Sequence, residues 1–75
     1  MGNAQHPHLS VVDEDTRRRV IQLTARVGVQ RAKRMLGASD LFFEALRNHG
    51  AARQHNIDRI RARLAELERQ AGHGA

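Results

Sequence analysis

The chain reads as an all-α protein, a compact domain of four helices, and three observations carry that reading. Apolar residues recur at spacings of three and four in four separate stretches. Gly28, Gly37 and Gly50 stand where three of those stretches end, as residues that close helices do. No stretch carries a strand signal. The centre of the chain is Ala32 to Leu46. Ala32 and Leu36 share one helical face, Gly37 interrupts it as a residue open to positive φ, and Ser39 is placed to cap a second helix. Phe43 and Leu46 give that second helix a buried stripe. Short helix, tight turn and second helix together have the spacing of a helix-turn-helix.

At 75 residues the chain allows one domain, and a chain this short buries only about 60% of its unfolded surface. It has no cysteine to staple it, and its His residues have no zinc-ligand spacing. His6-Pro7-His8 alone hints at a metal, and a solvated tail explains it better; no metal and no cofactor are expected. No apolar run approaches the roughly 18 residues of a membrane span, and the N-terminus lacks the apolar stretch of a signal peptide. The expected location is the cytoplasm, in association with the nucleoid.

The balance of charge is basic, 13 Lys and Arg against 8 Asp and Glu, a formal +5. Arg17, Arg18, Arg19, Arg26, Arg31, Lys33 and Arg34 fall in a segment, 16–34, that contains no acid. Such a field favours a polyanion. With two Phe and no Trp or Tyr, the stacking surface that single-strand binders use is poorly supplied, so the expected partner is double-stranded DNA.

In order along the chain, residues 1–9 read as a disordered lead, 10–71 as the folded domain and 72–75 as a disordered tail. Ser10-Val11-Val12-Asp13 has the form of a capping box, with Asp13, Glu14 and Asp15 at the favourable end of the helix dipole. Helix 1 is predicted from about 11 or 13 to 27, with Val20, Leu23 and Val27 buried, Thr24 beside them and Arg17 to Arg19 ringing the exposed side. Helix 2 spans about 29–36, with Val29, Ala32 and Leu36 on one side and Met35 flanking. Helix 3 runs from 39 or 40 to 48. Residues 50–55 read as a polar loop, Asn56 as an N-cap, and helix 4 as about 57–70. Its apolar residues Ile57, Ile60, Leu64, Leu67 and Ala71 form a narrow, heptad-like seam, for packing within the domain or for a dimer.

The segments GVQRAKRMLGASDLFFEAL and NIDRIRARLAEL resemble those of small bacterial helix-turn-helix regulators of the lambda-repressor-like kind, over residues 20–67. That resemblance implies a two-helix reader in the first segment and a following helix whose start approaches the DNA backbone. In that family the position four before the turn glycine is small. Here it is Lys33, with Ala32 one earlier. Either helix 2 is slightly rotated, or Lys33 carries its amine outward along its own stem.

Helical geometry then selects the reading face. With Phe43 at 0°, Leu46 falls at about 300° and Phe42 at about 260°, which makes the apolar side. Leu41, Glu44, Ala45 and Asn48 face the other way, toward a major groove. Asn48 can pair with adenine N6 and N7, Leu41 and Ala45 can touch thymine methyls, and Glu44 can accept from cytosine N4. Ser39 caps this helix at the DNA side. Asp40 and Glu44 repel phosphate and must be aimed at bases or offset by cations. Arg47, on the flank, suits a phosphate, as do Gln30, Arg31 and Arg34 on helix 2 and Arg53, Gln54, His55 and Asn56 before helix 4.

The function expected is sequence-specific double-stranded DNA binding by a transcriptional regulator, a repressor working as a homodimer on two half-sites, with no membrane and no small-molecule effector. Two alternatives stand beside it. One is a protein-interaction or dimerisation module that keeps the fold and docks a partner on Leu41, Phe42 and Ala45. The other is an architectural DNA binder with little sequence preference. No pairing of Ser or His residues with carboxylates suggests catalysis, and no enzyme is expected.

Overall fold

The three-and-four apolar periodicity becomes four helices, joined by a small sheet that the periodicity does not announce. A computed structural model describes residues 9–73. The order is β1 (Leu9–Val11), α1 (Glu14–Val27), α2 (Val29–Leu36), α3 (Asp40–Arg47), β2 (Ala51–Arg53) and α4 (Gln54–His73). The fold is mainly helical, with a two-stranded antiparallel sheet that pairs Leu9 with Arg53, Ser10 with Ala52 and Val11 with Ala51. The expected lead over residues 1–8 and the last two residues of the expected tail lie outside the described residues.

The sheet corrects three expectations. Leu9 belongs to a strand rather than to the lead, residues 51–53 are a strand rather than a loop, and Ser10 is not a helix cap. Leu9 to Val12 alternate in side-chain direction, as a strand requires. Ser10 is half-buried opposite the buried Ala52, Val12 is 1% exposed, and Leu9 and Val11 face out. The Val12 N–H donates to the Gly50 carbonyl at 3.0 Å, extending the pairing by one residue. The stretch is three residues long, too short for a pattern to distinguish from a helix start.

Asp13 takes the capping role. Its backbone is extended at φ −71°, ψ 157°. One carboxylate oxygen accepts the Thr16 N–H at 3.0 Å and the other accepts the Thr16 hydroxyl at 2.8 Å. This lets the Thr16 side chain sit fully buried with its hydrogen bond made. Gly28, at φ 91° and ψ 161°, ends α1 in a region of backbone space that is essentially glycine's own. The chain thereby turns straight into α2. Because β2 runs directly into α4, that helix starts at Gln54. Asn56 lies inside its first turn and is not its N-cap, and Gly72 and His73 are helical rather than tail.

The two hydrogen bonds from Thr16 hold the Asp13 carboxyl below its ordinary value of 3.8, the hydroxyl bond being the larger cause. A pKa depressed on folding contributes stability that is full above the unfolded value and is lost as pH falls through the folded one. Asp13→Ala is expected to lose about 1 kcal/mol near neutral pH, the usual cost of a missing cap. In urea titrations the difference from wild type is expected to narrow below about pH 4; a difference independent of pH refutes this origin.

One core collects Val12, Val20 and Leu23, Ala32 and Leu36, Phe43 and Leu46, Ala52, and Ile57, Ile60 and Leu64. The buried stripe expected for α1 holds for Val20 and Leu23, with Val27 at its margin and Thr16 added. Val29 is 40% exposed and does not line the core. Ala32 is completely buried, while the Lys33 side chain is 18% exposed and its amine reaches Asp40 at the start of α3. So α2 turns its alanine inward, and the lysine stem lies along the packing. On α4, Ile57, Ile60 and Leu64 are at most 2% exposed. Most of the heptad-like seam is spent inside the domain, and only Leu67 and Ala71 lie at or beyond its edge.

Candidate functional site

The turn that positions α3 is built from three residues. Gly37 is left-handed at φ 64°, ψ 36°, and its N–H and that of Ala38 bond back to the carbonyls of Arg34 and Lys33 at 3.2 and 3.1 Å. The Ser39 hydroxyl oxygen accepts the Phe42 N–H at 3.2 Å, as the sequence leads one to expect. With Phe43 and Leu46 drawn into the core, α3 presents Leu41 to solvent at 83% exposure. Glu44 and Asn48 are also exposed, and Ala45 is half-buried.

A second constraint closes the site from the other side. A Cβ on Gly50 would stand 2.7 Å from Ala45 Cα, and the Gly50 N–H donates to the Ala45 carbonyl at 2.9 Å. That close approach brings β2 beside α3. Between them lies an open groove of about 610 Å³. Ser39, Leu41, Phe42, Glu44, Ala45 and Asn48 line one side of it, and Leu9, Ala51, Ala52, Arg53 and Asn56 the other.

The structure therefore gathers Ser39, Leu41, Glu44, Ala45, Asn48, Arg53 and Asn56 around one groove. Gln54 and His55 are exposed immediately after Arg53. Asp40 is exposed at the start of α3, and Arg47 lies over the Phe43 ring, 5.5 Å from its centroid. Gln30, Arg31 and Arg34 are exposed on α2 and do not line the groove. Sequence reasoning missed Leu9, Ala51 and Ala52 as groove residues. Their signal was the alternation around Ser10 and Ala52, which is too brief to separate from a helix cap and a polar loop.

Charge is redistributed more than the sequence order implies. The segment 16–34 has no acid of its own, but acids reach it from elsewhere. Arg17 pairs with Glu14 at 3.0 Å, and Arg18 with Asp15 at 3.0 Å. Arg19 makes a two-pronged bond to Glu68 on α4 at 2.9 and 2.8 Å. This pairing holds the Glu68 carboxyl below its ordinary range. Arg17 and Arg63 also donate to the carbonyls of Arg47 and Met35, at 3.1 and 2.9 Å, where α3 and α2 end and the helix dipole welcomes a cation. The expectation that Arg17 to Arg19 simply ring a solvated side is corrected: Arg17 and Arg19 tie α1 to α3 and α4.

The acids of α3 are offset as well. Asp40 is held by Lys33. Glu44 accepts the Asn48 side-chain amide at 2.9 Å and lies 3.5 Å from Arg47. Among the described residues, Arg26, Arg31, Arg34, Arg53, Arg59, Arg61 and Arg69 have no salt-bridge partner. The cations free for an external anion are thus on α2, β2 and α4, and few are on α1.

Among the described residues no three His, Asp or Glu side chains group as metal ligands would. No helix of the described residues is long and apolar enough to cross a membrane. No family model, no curated protein and no solved structure matches the chain.

Proposed function

We propose that this chain is a double-stranded-DNA-binding transcriptional regulator, a repressor, in which α2, the Gly37–Ser39 turn and α3 act as a helix-turn-helix. The observation that carries the reading is the placement of uncommitted charge. Lys33 and Arg47 neutralise the acids of α3, while Arg31, Arg34 and Arg53 have no salt-bridge partner among the described residues. A helix whose exposed acids are paired with cations, flanked by guanidinium groups without salt-bridge partners, suits a major groove between two phosphate ridges. Binding as a homodimer follows from size, since one small domain covers few base pairs and specific affinity draws on two half-sites about 34 Å apart.

The test is selection of bound sequences from a random duplex library, followed by titration in salt. A palindromic consensus is expected, with log K falling linearly against log salt. Binding without a consensus supports an architectural role instead. Absence of duplex binding at low salt supports a protein-interaction module, a reading favoured by the exposure of Leu9, Val11 and Leu41 at 62%, 66% and 83%.

A further inference from the structure

We infer that Leu41, with Ala45 behind it, selects duplex DNA by the 5-methyl group of thymine; this rests on the DNA-binding function proposed above. Each polar side chain on the outward face of α3 already makes a hydrogen bond or ion pair within the domain. Asp40 is held by Lys33, the Asn48 amide donates to Glu44 at 2.9 Å, and Ser39 is spent on the Phe42 N–H. The most exposed large side chain on that face is hydrocarbon, Leu41 at 83% exposure. Ala45, one turn on, and the groove floor of Phe42 and Ala51 continue it.

In the major groove each base pair presents nitrogen and oxygen groups, and of the four bases only thymine also presents a methyl group. A leucine side chain against a thymine methyl buries apolar surface on both. Against the cytosine amino group or the guanine carbonyl it strips water and returns no hydrogen bond. The same side chain therefore rewards one base and penalises the others. Arg53 on the opposite rim, without a salt-bridge partner among the described residues, supplies the charge complementarity that commits the groove to DNA.

The experiment uses the duplex enriched from a random library by the full chain, with each thymine in turn replaced by deoxyuridine, which lacks only the methyl. At one or two positions binding is expected to weaken about fourfold, the equivalent of one methyl buried at about 0.8 kcal/mol. Leu41→Ala is expected to bind the thymine and uracil duplexes alike, while Arg18→Ala, on α1 and paired with Asp15, keeps the wild-type ratio. Equal binding of both duplexes by wild type at every position overturns the inference, as does a Leu41→Ala protein that still discriminates. Duplex binding with no enriched sequence overturns it and leaves DNA binding standing. No duplex binding at low salt overturns both.

Discussion

Alanine at Arg31, Arg34 and Arg53 together is expected to lower the slope of log K against log salt by about 2.7, since each phosphate contact contributes about 0.9. Counterion release alone then weakens duplex binding a few hundredfold at about 0.1 M salt. The three side chains are exposed and have no salt-bridge partner among the described residues. Exposed sites without such features usually move stability by less than about 0.5 kcal/mol, so the triple variant should melt like wild type. Arg18→Ala is the matched control. It also removes a cation, but one paired with Asp15 on α1, and its slope should stay near that of wild type. Fluorescence anisotropy across a salt series makes the comparison. If one Arg18 substitution lowers the slope as much as the triple variant, the assignment of phosphate contacts to α2 and β2 is wrong.

Phe43→Ala is expected to cost about 3–5 kcal/mol of folding stability. Phe43 is 1% exposed and joins Leu46, Ile57, Ile60 and Leu64 in the centre of the core. The Arg47 guanidinium above the ring adds a cation–π contribution of about 0.5–1 kcal/mol that the alanine also loses. At roughly 0.05–0.15 kcal/mol per residue a domain of this size has roughly 4–11 kcal/mol in all, so a large part of its stability goes, and α3 loses its seat in the core. Leu41→Ala, two residues earlier and exposed, should leave the urea midpoint nearly unchanged. Similar midpoints for the two variants would show that the core is not centred on Phe43.

Much of α1, α2 and α3 was legible in the sequence because each depends on local chemistry. Val20 and Leu23, Ala32 and Leu36, and Phe43 and Leu46 lie at helical spacing, and all six are buried. Gly37 and Ser39 were readable because a left-handed residue and a hydroxyl cap act within three residues of themselves. The helix bounds 29–36 come out as expected, and α3 differs only at its last residue, Asn48, which is the C-cap.

The sheet was not legible, because its two strands are forty residues apart in sequence and each is three residues long. A strand that short has no period of its own, and its stability comes from a partner the local sequence does not reveal. The same separation hid the cap. Ser10 and Asp13 are both good capping residues, and the pairing of Ser10 with Ala52 leaves the role to Asp13. On α4, the apolar seam was visible but its partner was not. The rest of the domain covers Ile57, Ile60 and Leu64.

The sequence alone determined the mainly helical character, the two short helices on either side of Gly37 and which face of α3 is apolar. These rest on interactions among residues within a turn or two of one another. Only the tertiary structure decided which arginines have no salt-bridge partner among the described residues, because a salt bridge depends on distance in space. Glu68 lies far along the chain from Arg19 yet bonds it at 2.8 Å. The structure likewise decided that Leu9, Leu41 and Arg53 line one groove, since that requires β2 to lie beside α3 and β1 to pair with β2.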